Sequence, residues 1–157
     1  MKAAKVSEIK QELSTRSHKE LLELCLRLSK FKKENKELLT YLLYEADNEA
    51  AYIAGIKQEI EYEFTQINTK TFYYIKKSVR KILRTIKKYI RYSKEKETEV
   101  ELLIFFCHAL KNMSPSIKSN VTLQNILNRQ LDLARKTLSS LHEDLQYDYK
   151  QELESFE

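Results

Sequence analysis

Glycine and proline are nearly absent, at one each in 157 residues, where average usage would supply roughly eleven and eight. Sheets draw on both for hairpins and turns, so their scarcity points to helices joined by short polar loops. With Gly55 alone, no glycine-rich phosphate cradle or dinucleotide fingerprint can be written. Long apolar runs are missing too. The longest uncharged run, 119–128, is ten residues and mostly polar, against the ~18 apolar residues of a transmembrane helix. The first twenty residues carry charges throughout and lack the apolar centre of a secretory leader, so neither a membrane span nor export is expected. The two cysteines, Cys25 and Cys107, lie in leucine- and phenylalanine-rich helical stretches, where a free thiol packs as a small apolar residue. A reduced, cytoplasmic protein is the expectation.

What is present is 32% charged and 42% hydrophobic, with ten tyrosines and six phenylalanines, too apolar for a disordered chain. No linker or composition break divides it, so 1–157 reads as one all-α domain, a bundle of about five to six helices or consecutive antiparallel helical hairpins. A short helix over 7–13 and a C-terminal tail over 148–157 read as peripheral. Ser17 followed by Glu20 and an apolar run is a capping box, which predicts a helix over 18–33. After Asn35, the spacing of Leu38, Leu39, Leu42 and Leu43 predicts a second helix paired with the first. Asp47 or Asn48 caps a third, with Ala50, Ile53, Ile56, Ile60, Phe64 and Ile67 inward. A fourth is predicted over 71–92. A fifth opens with Glu95, Glu97, Glu99 and Glu101, where a helix dipole favours acids. It continues as an all-apolar stretch expected at the centre of the fold. Ser114 and Pro115 read as cap and first residue of the last helix. There Leu127, Leu131, Ala134, Leu138, Leu141 and Leu145 step by four and three, a heptad seam for helix packing or self-association.

Charge is segregated. Residues 64–94 hold ten cations and no carboxylate, whereas 45–63 and 143–157 each hold six acids and one base. On a helical wheel, Phe72, Ile75, Val79, Ile82, Leu83, Ile86, Tyr89 and Ile90 form a core-facing stripe. Lys76, Lys77, Arg80, Lys81, Arg84, Lys87, Lys88, Arg91 and Lys94 share an arc of about 140° that runs roughly 27 Å. Tyr73 sits among these cations, and Tyr74 and Tyr92 lie in the remaining arc. Like charges at i,i+3 and i,i+4 oppose this helix by about 2–5 kcal/mol before screening. Two candidates offset that cost. One is internal: Glu59, Glu61 and Glu63, or Glu143, Asp144 and Asp148, lying against the cations. The other is an external polyanion, with phosphates on the 72–94 cations and bases stacked on Tyr73, Tyr74 or Tyr92. A membrane surface would use the same amphipathicity, but the β-branched stripe is more economically placed in a core.

Catalytic and metal readings find no motif. His18, His108 and His142 share no helical face, and Cys107 and His108 point about 100° apart. The pairs Glu95/Glu99 and Glu97/Glu101 are accounted for by the helix dipole. No nucleophile elbow is present. The runs ELCLRLSKFKKENKELLTYLLYEA and VRKILRTIKKYIRYSKEKETEVELLIFFC resemble an uncharacterised family of small all-helical bacterial proteins. That resemblance implies a helical, cytoplasmic, single-domain protein and brings no activity, ligand or catalytic residue. The expectation is therefore a non-catalytic binding or adaptor module that meets protein partners or itself, with sequence-tolerant RNA or DNA binding through 72–94 as the alternative. No cofactor, metal or small-molecule substrate is indicated.

Overall fold

The computed structural model describes residues 1–156. Among them are eight α-helices and no strand, so the all-α expectation holds, with more helices than the five to six anticipated. The single domain expected over 1–157 is two compact units, Met1–Tyr44 and the chain from Glu45 onward. The sequence hides this division because it falls in a π-helical turn, Tyr41–Glu45, that continues directly from a helix. No glycine, proline or serine marks it.

The first unit holds α1 (Val6–Ser14), α2 (His18–Phe31) and α3 (Lys33–Thr40). The capping box forms as expected: the Glu20 amide donates to Ser17 Oγ at 3.3 Å, and the Ser17 amide donates to Glu20 Oε2 at 2.8 Å. These bonds from Ser17 hold the Glu20 carboxyl below its ordinary pKa. Arg16 bridges Glu12 and Glu20, at 3.6 Å from each. The break after α2 comes at Lys32 in extended backbone rather than at Asn35. The Asn35 side-chain amide donates to the Leu28 carbonyl at 2.8 Å, which ties α3 back to α2. No residue of α1, α2 or α3 is buried.

The second unit holds α4 (Glu49–Thr65), α5 (Phe72–Ser93), α6 (Lys96–Asn112), a 3-10 turn (Ile117–Ser119), α7 (Val121–Leu138) and α8 (Glu143–Glu154). Asn48 caps α4 by accepting from the Ala51 amide at 3.1 Å. The apolar α6 is central, and α4, α5, α7 and α8 all pack on it. Its Val100, Leu102, Leu103, Ile104, Phe106, Cys107 and Leu110 are buried, and Phe106 meets Phe64 of α4 at 5.9 Å between ring centres. α5 and α6 are separate helices. Lys94 turns the chain at φ 61°, its amide donating to the Ile90 carbonyl, a left-handed C-cap of the kind that usually selects glycine. Glu49 then locks this corner to α4, accepting hydroxyl bonds from the buried Ser93 and, at 2.6 Å, from Thr98.

Three further expectations are corrected. Ser114 and Pro115 do not start the last helix. Their peptide bond is cis, and α7 begins at Val121, where Asn120 accepts the Leu123 amide at 3.1 Å. The heptad seam is not one helix either, because α7 ends at Leu138 and a turn through Ser139–Ser140 precedes α8. Finally, the C-terminal stretch expected to be peripheral is not so over its described residues, 148–156. Tyr149, Leu153 and Phe156 pack on the core, and Lys111 Nζ donates to the Ser155 carbonyl at 2.9 Å while facing the Phe156 ring.

Candidate polyanion-binding face

α5 sorts its side chains as its periodicity dictates. Ile75, Val79, Ile82, Ile86 and Ile90 are buried, with Phe72, Leu83 and Tyr89 partly buried against the same core. The apolar stripe is thus consumed inside the second unit and is not available to a membrane surface. The opposite arc holds the cations. Lys77, Arg80, Lys81, Arg84, Lys87, Arg91 and Lys94 are exposed, and Lys76 and Lys88 are half-buried.

The internal acids compensate this face only in part. Glu63 of α4 lies 3.9 Å from Lys81, and both ends of that pair are solvated, so its worth is small. Glu59 accepts a hydrogen bond from the Tyr89 hydroxyl at 3.2 Å, and Lys88 rests over the Tyr89 ring at 5.2 Å. The other acidic segment, with Glu143, Asp144 and Asp148, is on α8, which packs on α6 and α7. Toward the C-terminal end of α5, Arg84, Lys87 and Arg91 ring a shallow hollow floored by Ile90, Leu103 and Leu133, with Glu99 at one side. Three cations around an apolar floor suit a phosphate with an attached ring.

The tyrosines differ among themselves. Tyr73 and Tyr74 stand exposed at the start of α5, edge to face at 5.4 Å, with ring surface free for a stacked base. Tyr92 is half-buried and leans on Tyr89 at 6.2 Å, so it offers less of a platform. The seam residues turn inward. Leu131, Ala134 and Leu138 are buried, Leu127 and Leu141 pack on the core, and Leu145 is 38% exposed.

The remaining chemistry-bearing groups are bound up structurally. The Tyr149 hydroxyl lies 3.3 Å from both Glu97 and Glu101, and Lys57 donates to Glu101 at 2.6 Å. Burial, reinforced by the two carboxylates, holds the Tyr149 hydroxyl well above its ordinary pKa. Its hydrogen bonds join residues 44 to 52 apart in sequence, and no local pattern announces it. Burial pushes the Cys107 thiol up to about 12, with Arg135 pulling weakly the other way, while Cys25, expected inside, is exposed. His108 stacks on Phe156 at 4.4 Å, and His142 caps α8. Among the described residues no three His, Cys, Asp or Glu side chains gather as a metal site, and no helix is long and apolar enough to cross a membrane. No protein family, curated protein or solved structure matches the chain.

Proposed function

We propose that this protein is a non-catalytic binding module whose α5 engages a nucleic acid through its phosphates, with little sequence preference. One observation carries the reading: a row of cations along about 27 Å of one helix face, most of them exposed, with the Glu63 carboxylate 3.9 Å from Lys81 in solvent. The folded helix holds these cations on one side, and an incoming phosphate chain releases counterions on contact. Tyr73 and Tyr74 add ring faces at one end, which favours strands with unpaired bases. Association through the α7 seam is the less favoured reading, since Leu131, Ala134 and Leu138 are occupied in the chain's own core.

The test is fluorescence anisotropy of a labelled single-stranded RNA and a labelled DNA duplex over a range of salt concentrations. The expected result is binding to the single strand whose log K falls with log salt at a slope of about −3 or steeper, as four or more phosphates at ~0.7 each require. Reversing Lys77, Arg80 and Arg84 to glutamate is expected to flatten that slope by about 2 and to weaken binding at least tenfold at low salt. Absence of binding at low salt, or binding that the triple reversal leaves untouched, overturns the reading.

A further inference from the structure

The hollow at the C-terminal end of α5 is shared by three helices, α5, α6 and α7. Its volume, about 400 Å³, falls within the ~300–1,000 Å³ of sites that take small ligands. On its α5 side stand Arg84, Lys87 and Arg91, all exposed and spaced by three and four, so that one helix face carries them. Leu133 of α7 is partly exposed and presents the floor, over the buried Ile90 and Leu103.

The opposite bank comes from α7. On a wheel at about 100° per residue, Arg129 and Lys136 lie roughly 40° and 60° from Leu133, one turn to either side of it and away from the buried Leu131, Ala134 and Leu138. Both are exposed. Arg135 lies about 160° round from Leu133 and lines a different hollow with Gln146 and Lys150 of α8, so the two edges of α7 face different neighbours. Asp132, the one acid of α7, lies 3.4 Å from Arg135.

Given phosphate binding along α5, on which this rests, we propose that the hollow seats one unpaired nucleotide of a single strand that crosses from α5 to α7, with Arg129 and Lys136 holding the phosphates beyond it. Two banks of cations across an apolar floor suit a chain that can bend and turn the π-face of a base downward, whereas a duplex keeps its bases stacked inside. Glu99, half-buried at one side of the hollow, favours the same occupant. Its carboxylate repels a phosphate from the floor and accepts hydrogen bonds from the amino, imino or hydroxyl groups of a nucleoside. Phosphates are thereby kept to the two banks.

Arg129→Glu with Lys136→Glu is expected to flatten the salt slope for a labelled oligouridylate by about 1.4, two phosphates at ~0.7 each, and to weaken binding about fivefold or more at low salt. Lys118→Glu with Lys150→Glu makes the same change in net charge at exposed positions outside the hollow, and it should move the slope by less than half as much. The chain has no tryptophan, so Leu133→Trp makes the floor its only indole. Saturating oligouridylate is expected to quench that emission by stacking, whereas inorganic polyphosphate, which carries charge without bases, should compete for the cations and leave the emission unchanged. If the larger ring disturbs the packing of α7, the charge variants, both at exposed positions, still decide. An α7 reversal that moves the slope no further than the Lys118 and Lys150 control, or a folded Leu133→Trp chain that oligouridylate leaves unquenched, overturns the inference. In either case the α5 reading stands as long as reversal of Lys77, Arg80 and Arg84 still weakens binding. An unmodified chain that binds no strand overturns both.

Discussion

Cys107 and Tyr149 hold their protons more tightly in the folded chain than in the unfolded one, Cys107 through burial and Tyr149 through burial beside Glu101 and Glu97. A group whose folded-state pKa is raised contributes its full stability below the unfolded value and loses it as the pH climbs through the folded one. For the thiol that window opens at its ordinary value of 9.0 and closes at about 12, and for the phenol it opens at 10.0. The urea midpoint is therefore expected to hold steady up to about pH 9 and to fall beyond it. Tyr149→Phe should lessen the fall above pH 10. A midpoint that stays flat to pH 11 would contradict both assignments. The same burial separates the thiols: at pH 8 one equivalent, Cys25, should react rapidly with a disulfide reagent while Cys107 waits for unfolding. The sequence carried half of this. Cys107 sits in LLIFFCHAL, where every neighbour but His108 belongs to the core or packs on it, but the alternating leucines around Cys25 look equally interior to a composition count. What such a count cannot register is whether anything lies against them.

The corner between α5 and α6 shows how elements are held. Glu49, the first residue of α4, accepts from the hydroxyls of Ser93 and Thr98 and joins three helices at one carboxylate. Glu49→Ala leaves the Thr98 hydroxyl, 1% exposed, without its acceptor, and the expected loss is about 2–3 kcal/mol in urea unfolding. Thr98→Val keeps the shape and removes the donor, so it should cost about 1 kcal/mol or less. Equal losses in the two variants would show that the bond is not what joins the helices. Periodicity made α5 legible residue by residue, because a polar arc and a β-branched stripe leave no second way to orient the helix. It misled at α7. Leu141 and Leu145 continue the three-and-four spacing, yet the helix stops at Leu138. Leucine spacing records which side faces a core and does not record whether the backbone between remains helical. Pro115 misled in the same way, since proline suits a first turn and a loop alike.

At the scale of the whole molecule, nearly all burial belongs to the unit from Glu45 onward, which contains every member of the main core cluster. A chain beginning at Glu45 is expected to unfold cooperatively, with Tm within about 5 °C of the full chain, the shift that roughly 1 kcal/mol makes in a domain this size. It should also keep its salt-dependent binding to single strands. A peptide of residues 1–44 at low micromolar concentration is expected to show little helix by circular dichroism. A broad, non-cooperative melt of the shortened chain would refute the division. The central position of α6 also sets an order of events during synthesis. α4 and α5 leave the ribosome before α6, and their isoleucines have one another but not the helix on which both pack. At about 5–20 residues per second, the seventeen residues of α6 take roughly one to three seconds to appear. Throughout that interval the nascent chain displays a lysine-rich amphipathic helix whose isoleucine side still lacks α6, on a ribosome whose own surface is RNA.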